Sequence, residues 1–412
     1  MGPELDRLPD GPLGVAVSGG GDSVALAVLL QRWCRRGGRA LAAVTVDHGL
    51  RDGSAEEARG VQELSAGLGI GHTIVRWHGW DGQGNLQDAA RTARYRLIAE
   101  WAREAGLAAV ALGHTLDDQA ETFVLRLARG SGVDGLSAMA ARVEFDGVVF
   151  VRPMLSIRRD DLRAFLVSNR HSWVEDPSNA DRRFDRVKVR QALGVLEGLG
   201  IDAENLVQTA ARMGHARAAL EQATLDLARD CAEPGRLGDV VLDRKPFAAA
   251  PLEIRLRLLA AALNWVSGSR YRPRLAALAP ICESITAPGR FRAATLHGCV
   301  VRGARGKVLI RREPARAEGR RPLGETPWDG RWLVRKPPPD RDELEIGALG
   351  EEGLKQWPEW RDSGFDRELL IASPAIWRGR QLVSALARRG DDTPAMYPKG
   401  GNAGFFDTIR TR

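Results

Sequence analysis

One stretch near the start of the chain constrains its fold more than any other. Leu13 to Val17 is a short apolar run suited to a buried strand. Ser18-Gly19-Gly20-Gly21-Asp22-Ser23 follows, and then Val24 to Leu30, which reads as a helix packed on a sheet. A strand that turns through three glycines into a helix belongs to a layered α/β fold. The turn is also an anion site. Backbone N–H groups point outward at a helix N-terminus, and the helix dipole adds partial positive charge. Glycines let the backbone approach a phosphate closely and adopt φ > 0.

The turn is not of the Walker type, which needs G-x-x-x-x-G-K-[ST]; the first lysine in the chain is Lys188. It is not the G-x-G-x-x-G dinucleotide turn either. An ordinary glycine-rich connection remains the plain alternative. The polar residues around the glycines favour a functional turn, because Ser-Gly-Gly-x-Asp-Ser resembles the pyrophosphate loop of ATP pyrophosphatases. Those enzymes split ATP into AMP and pyrophosphate. The resemblance implies that Ser18, Gly19, Gly20, Gly21 and Ser23 cradle phosphates and that Asp22 works with Mg²⁺.

Size and composition bound the rest. A chain of 412 residues should hold two to four domains, and 44% hydrophobic residues support real cores. A net charge of +7 and a pI near 9.6 permit a polyanionic partner. The basic residues are nearly all arginine, which suits bidentate phosphate contacts. Cys34, Cys231, Cys282 and Cys299 have no C-x-x-C spacing, which argues against zinc, an iron–sulfur cluster or a disulfide framework. Met1 to Pro12 is polar without a signal-peptide core, and no apolar run reaches transmembrane length. A soluble cytoplasmic protein is expected.

Strands and helices then alternate. Leu41 to Val46 is a second strand running into Asp47-His48. Ser54 and Glu57 have capping-box spacing. His72 to Arg76 is a third strand, and a loop with Gly79, Gly82 and Gly84 follows. Leu86 to Ala105 is a long helix carrying Arg91, Arg94 and Arg96, and Leu107 to Leu112 is a fourth strand. This order predicts a doubly wound parallel sheet, whose ligands bind beyond the carboxyl ends of the strands. Asp22, Asp47, His48 and His114 all fall at such ends. Asp117, Asp118 and Glu121 occupy a first helical turn after the fourth strand. One acid there is explained by the helix dipole. Three acids and a histidine within eight residues suggest Mg²⁺ or an ammonium as well. Arg129 to Gly135 reads as a mobile loop able to close on a substrate.

Taken together, Ser18 to Ser23, Asp47 to Arg51, Gly113 to Met139 and Glu175-Asp176-Pro177-Ser178-Asn179 resemble the tRNA(Ile)-lysidine synthetase family. A fainter likeness runs through Arg274-Leu275 and Thr295 to Cys299 to Arg312-Glu313. The family often has two histidines where this chain has His114-Thr115, and Arg-Asn where it has Arg186-Val187. The resemblance implies a PP-loop ATP pyrophosphatase domain of adenine-nucleotide alpha hydrolase type. It implies ATP-dependent ligation of free L-lysine to carbon 2 of the wobble cytidine in the CAU anticodon of tRNA(Ile). The cytidine is adenylated first, AMP leaves, and lysidine then pairs with A, which switches decoding from AUG to AUA. By motif position, ATP falls to Ser18 to Ser23, Asp47, His48 and Gly113, with Asp22, Asp118 and His114 catalytic. Mg²⁺ falls to Asp22 and Asp117. The lysine amine falls to Asp118, and its carboxylate to Arg186 or Arg190.

Val149 to Arg152 is expected as a fifth strand and Ile157 to Asn169 as a helix. Arg152 to Arg190 holds ten Lys/Arg against six Asp/Glu. After Gly198 the pattern changes. Ala203 to about Ala232, Pro251 to Trp265 and Arg272 to Ser284 read as helices. Short strands follow at Arg292 to Leu296, Cys299 to Arg302 and Lys307 to Arg311. Arg302 to Arg321 carries eight Lys/Arg and two Asp/Glu, a basic face fit for an RNA backbone. Arg302, Arg305, Arg311 and Arg312 there, with Arg91 and Arg94, are the expected tRNA contacts. Pro314 to Pro322 reads as a linker. The remainder is tryptophan-rich, contains Pro337-Pro338-Pro339, and reads as a small β-rich domain. Its tryptophans could stack on bases, though core packing is the more frequent reason for them. The expected division is 1–198 catalytic, 199–313 helical/α+β and 322–412 C-terminal, the last two binding tRNA. A homodimer is admitted but not required.

Two rivals stand beside this reading. A PP-loop 2-thiolase would normally use paired cysteines or a cluster, which are missing. An amidotransferase-type synthetase would need a glutaminase-like cysteine, and none sits at the N-terminus. From another class, a non-catalytic tRNA-binding protein would not need Asp22, Asp117 and Asp118.

Overall fold

The computed structural model describes residues 2–49, 54–77, 86–175, 185–269, 271–335, 341–388, 395–401 and 403–410. Leu50-Arg51, the glycines Gly79, Gly82 and Gly84, Asp176 to Asn179 and Pro337-Pro338-Pro339 lie outside these residues. The chain forms two compact units, 1–217 and 218–412.

The first unit opens with a short helix α1 (Gly2–Leu5). It continues β1 (Leu13–Ala16), α2 (Gly21–Gly37), β2 (Leu41–Asp47), α3 (Ser54–Leu68), β3 (Gly71–Arg76), α4 (Leu86–Glu104), β4 (Ala109–Leu112), α5 (Leu116–Ala128) and α6 (Val133–Leu136). Then come β5 (Arg142–Phe145), β6 (Val148–Val151), α7 (Arg159–Ser168), α8 (Asp185–Glu197) and α9 (Ala203–Cys231), which crosses into the second unit. The six strands run in the order β3-β2-β1-β4-β6-β5. Five are parallel and β5 is an antiparallel edge. β6 is the strand expected at Val149 to Arg152, whereas the edge strand β5 has no counterpart in the sequence expectation.

Both faces of the sheet are covered, as parallel sheets require. Alternate residues go to opposite sides. Ala109 and Ala111 join Leu26 and Leu30 of α2 in one core. Val110 and Leu112 join Ile98, Ala99 and Trp101 of α4 in the other. The chain leaves β1 towards β2 and returns to place β4 on its other side, so the strand order reverses between β1 and β4. A crevice opens at such a switch point.

One local expectation needs correction, and one helix goes unexpected. Arg129 to Gly135 is not an open loop. It ends in α6, and the Arg126 guanidinium donates to the Gly135 and Ala138 carbonyls at 2.8 and 2.6 Å. The polar run before Arg190 conceals α8, whose Val187 and Val189 are buried. The Leu193 side chain of α8 packs with Leu116, Ala120 and Phe123 of α5 and with Ala203, Leu206 and Ala210 of α9.

The second unit contains β7 (Ala232–Pro234), β8 (Val240–Asp243), α10 (Arg244–Ala249), α11 (Leu252–Ser267), α12 (Leu275–Thr286), β9 (Ala294–Leu296), β10 (Cys299–Ala304) and β11 (Lys307–Arg312). Its five-stranded sheet runs β7-β8-β11-β10-β9. Beyond it lie β12 (Arg321–Pro322), β13 (Trp332–Arg335), β14 (Glu345–Ala348), α13 (Gly350–Lys355), α14 (Arg367–Ala372), β15 (Pro374–Arg378), β16 (Gln381–Ala385), β17 (Ala395–Pro398) and α15 (Gly404–Arg410).

Of the two domains expected at 199–313 and 322–412, residues 218–313 and 322–412 are knitted into this one unit, while 199–217 belong to the first. Phe405 and Ile409 of α15 enter the core built around Leu258, Leu263 and Trp265 of α11. Buried Arg331 donates to the Gly238 and Trp265 carbonyls. Trp328, Trp332 and Trp377 are fully buried, so these three tryptophans pack the core and leave no face for a base. All four cysteines are buried and unpaired. No described helix is long and apolar enough to cross a membrane.

Candidate active site

The glycine turn closes β1 onto α2. Gly19 has φ +89°, a conformation that L side chains rarely adopt, and its carbonyl accepts from Val174 N–H at 2.9 Å. Gly20 is the N-cap of α2 in extended conformation, with no side chain capping the helix. The first N–H groups of α2 are therefore left for a ligand. Ser23 Oγ braces the turn. It donates to the Gly20 carbonyl at 2.9 Å, accepts from Ser18 N–H at 3.1 Å, and lies 3.2 Å from Ser18 Oγ. The end of β4 lies close by. A Cβ on Gly113 would sit 3.1 Å from Ser23 Cα, so glycine lets the fourth strand touch the phosphate turn.

These elements surround a cavity of about 940 Å³. Its lining includes Ser18, Gly20, Gly21, Asp22, Ser23, Asp47, His48, Gly113, His114, Asp117, Asp118, Arg186 and Arg190. Nearly all the motif residues thus meet in one crevice, although they span more than 160 positions of the chain.

The acids are held differently from one another. Asp118 belongs to a capping box: its Oδ2 accepts from Thr115 N–H at 2.8 Å and from Thr115 Oγ1 at 2.9 Å, and Thr115 Oγ1 accepts from Asp118 N–H at 3.3 Å. Thr115 is therefore the cap of α5. Asp118 Oδ1 turns the other way, to Arg159 Nη2 at 3.2 Å. Asp22 Oδ2 receives Arg159 Nε at 3.1 Å. Burial pushes the Asp22 carboxyl up from its ordinary value, against the pull of Arg159. Glu121 is 1% exposed; its Oε1 accepts from Arg190 Nε at 2.6 Å and lies 3.4 Å from Arg159 Nη1.

Asp117, expected beside Mg²⁺, is committed elsewhere. Its Oδ2 accepts from the Arg159 backbone N–H at 2.7 Å, and its Oδ1 lies 3.5 Å from Arg158 Nε. It sets the start of α7. Among the described residues no group of three or more His, Cys, Asp or Glu could hold a metal alone. Asp47 orders its own turn: Oδ1 accepts from Gly49 N–H at 3.0 Å and Oδ2 lies 3.7 Å from Arg76. His48 lines the crevice, edge-on to Trp77 at 5.9 Å.

Burial, with Arg152, Arg94 and Arg91 nearby, pushes the His114 imidazole down to about 3, so the ring is neutral near pH 7. It remains a hydrogen-bonding group, with Nδ1 unpartnered. Because the unfolded chain would protonate this histidine near pH 6.5, folding stability is lost as pH falls below that value towards 3. His48 and His72 are also pushed down by burial and act in the same direction. His114→Gln is expected to flatten the acid limb of a urea-midpoint-against-pH curve between about pH 6.5 and 4. An unchanged limb would show that His114 is not buried neutral.

Arg94 lines the crevice beside Ile98 and His114 and does not lie on an outer basic face. Arg91 is exposed, its guanidinium 5.4 Å over the Tyr95 ring. In the second unit the basic face is thinner than the charge count implies. Arg311 pairs with Asp366 at 2.6 Å, and Arg312 pairs with Asp329 through Nε and Nη2 at 2.7 and 2.6 Å. Both are largely buried and structural. Arg302 and Arg305, with Arg244, Arg290 and Lys307, line a separate cavity of about 650 Å³. Arg159, at the centre of the acids, is the site residue that motif reading misses. Its only sequence signal is its position, opening a helix just after a strand of the sheet.

Comparison with known proteins accords with this architecture. The PP-loop domain family matches residues 5–196. The tRNA(Ile)-lysidine synthase of Ruegeria pomeroyi is 48% identical over 382 residues, covering 93% of this chain and 90% of that protein. The tRNA(Ile)-lysidine synthase of Rhodopseudomonas palustris is 42% identical, covering 66% and 79%. That of Wolbachia pipientis is 37% identical, covering 77% and 75%. Among solved structures, a U34-tRNA thiolase from Methanococcus maripaludis is similar at 20% identity with a TM-score of 0.45, covering 51% of this chain and 75% of that one. With a glycine turn, an acid cluster and a switch-point crevice in place, and with a relative 48% identical along 93% of its length, the chain belongs to the tRNA(Ile)-lysidine synthase family.

Proposed function

We propose that this chain ligates lysine to the wobble cytidine of a tRNA(Ile) with a CAU anticodon, in the cytoplasm, with ATP split to AMP and pyrophosphate. The observation that carries the proposal is the meeting of the uncapped α2 N-terminus with Asp22 and Asp118 in one crevice, with buried Glu121 behind them on Arg159. Family membership makes it an ATP-using ligase. The cytidine carbonyl oxygen on carbon 2 attacks the α-phosphate, and pyrophosphate leaves. The lysine amine then attacks carbon 2 and AMP departs.

Each residue has a physical task. The N–H groups of Gly21, Asp22 and Ser23 meet the phosphates. Asp22 fits a Mg²⁺ of the sort that takes one or two carboxylates and completes its shell with phosphates and water. That ion, when bound, offsets negative charge developing on the phosphates. Asp118 Oδ1 and Glu121 offer carboxylate oxygens to the lysine ammonium, and Arg186 at the rim offers a guanidinium to its carboxylate. Arg190, held by Glu121, serves that carboxylate only if it leaves its acid partner. Incubation with tRNA, ATP and labelled lysine, read by mass spectrometry of the tRNA nucleosides, tests the reading. Label absent from cytidine would sink it.

The second unit is proposed to hold tRNA by its backbone. Arg290 and Arg305, both exposed at the 650 Å³ cavity, are the proposed phosphate contacts, with Arg302 beside them. In the full chain, Arg290→Ala with Arg305→Ala is expected to weaken tRNA binding equally for cognate and non-cognate tRNA. The slope of log K against log salt should fall by about one for each phosphate no longer neutralised. An unchanged dissociation constant and slope would remove this cavity from the interface.

A further inference from the structure

Arg159 gives each of its three guanidinium nitrogens to a different carboxylate. Nε lies 3.1 Å from Asp22 Oδ2, Nη2 lies 3.2 Å from Asp118 Oδ1, and Nη1 lies 3.4 Å from Glu121 Oε1. Its backbone N–H is fixed by Asp117 at 2.7 Å. One side chain from α7 thus ties the phosphate-turn helix α2 to the acid-bearing helix α5. The oxygens it covers are the ones a cation would need. They are also scarce, because Asp118 Oδ2 is consumed by the Thr115 cap.

A second observation points to an absent donor at the same place. Glu121 is almost fully buried, yet its Oε2 has no hydrogen-bond partner, while Oε1 is crowded by both Arg190 and Arg159. An unpaired oxygen on a buried carboxylate is costly. The three guanidinium nitrogens of Arg159 are turned to Asp22, Asp118 and Glu121 Oε1, and none of them reaches Glu121 Oε2. A compact cation can sit closer to one or two of these oxygens.

We propose that Arg159 is the resident counter-cation of this pocket, neutralising Asp22, Asp118 and Glu121 while no ligand is bound and being displaced by an incoming compact cation. The inference rests on the reading that these acids receive a cation. The shared ligand chemistry is a hard positive centre, which either Mg²⁺ or the ε-ammonium of lysine provides. Displacement makes the apparent affinity of the pocket equal to its intrinsic affinity scaled by the fraction of time Arg159 is away. It also keeps like charges from facing one another in the empty site.

The sign of one substitution separates this role from a structural one. A residue that only braces the pocket weakens ligand binding when removed. A resident competitor strengthens it. With full-length Arg159→Gln and no ATP or tRNA, calorimetric titrations use MgCl₂ alone, L-lysine alone, and norleucine, which lacks the ε-amine. The expected result is about tenfold tighter binding of Mg²⁺ or of L-lysine, corresponding to an Arg159 that is away about a tenth of the time, with norleucine unchanged. The cation that gains is the occupant. The melting temperature of the variant should fall without ligand and recover with that cation.

A folded variant whose affinity for both cations is unchanged or weaker overturns the proposal while leaving the cation reading of the acids intact. Failure of both wild type and variant to bind either cation overturns the two together. Should the glutamine variant not fold, Arg159→Lys keeps the charge but cannot bridge three acids. It should tighten cation binding by a smaller factor, and unchanged affinity there also overturns the proposal.

Discussion

Asp22→Ala is expected to stop AMP formation, with single-turnover adenylation falling by at least about a thousandfold, while tRNA binding stays near the wild-type value. Asp22 lies in the first turn of α2, beside the uncapped N–H groups proposed to meet the phosphates. A carboxylate there can hold Mg²⁺ against the transferring phosphate. Loss of such metal-borne stabilisation is worth several kcal/mol, and about 4 kcal/mol corresponds to three orders of magnitude in rate. The alanine also releases one arm of Arg159, so Asp22→Asn, which keeps the shape, should accompany it. Both variants should lose adenylation. Quench-flow with labelled ATP and bound tRNA measures the step directly. Native-rate AMP formation by either variant would show that the carboxylate is not part of the phosphate chemistry.

Asp118→Asn separates three roles that one carboxylate could play. The asparagine carbonyl can still accept from the Thr115 N–H and hydroxyl, so the cap of α5 survives in part. What disappears is the charge on the oxygen turned to Arg159 and the crevice. A role confined to the helix dipole costs a few tenths to about 1 kcal/mol of stability and leaves kinetics alone. A Mg²⁺ role slows adenylation with or without lysine. The expected outcome is the third: adenylated tRNA still forms, and kcat/KM for lysine falls about ten- to hundredfold, as losing a charge-assisted hydrogen bond of roughly 1.5–3 kcal/mol implies. Single-turnover ATP cleavage without lysine, set beside a lysine titration of the full reaction, tells the three apart. Slowed adenylation would move Asp118 to the metal.

The motifs of the first unit are legible in the sequence because topology does part of the work. Once strands alternate with helices, Asp22, His48, Gly113, His114 and Asp118 must gather at one sheet edge, whatever their separation along the chain. Arg159 is not legible. It stands 137 residues from Asp22, and its neighbours Asp160-Asp161 look like an ordinary helix start. Arg94 reads as a surface residue because helical spacing reports that a face exists, not which ligand it meets. Arg311 and Arg312 pass for free positive charge because a tally of residues is blind to partners. Asp366 and Asp329 neutralise them from later in the chain. α8 stays hidden for a similar reason: Val187 and Val189 are a thin apolar signal inside a run of charges. The division into two units follows from α15, whose Phe405 and Ile409 bury themselves in a core nucleated some 140 residues earlier around Trp265.

That late insertion has a consequence for the chain as it is made. At synthesis rates of about 5–20 residues per second, α11 waits roughly seven to thirty seconds for α15 to arrive. During this interval the edge of Trp265 that the Phe405 ring will meet has no native partner. All the packing inside 1–217, the phosphate turn and Arg159 included, can form within that time. The nascent protein therefore passes through a stage in which its crevice is assembled and its second unit is still open.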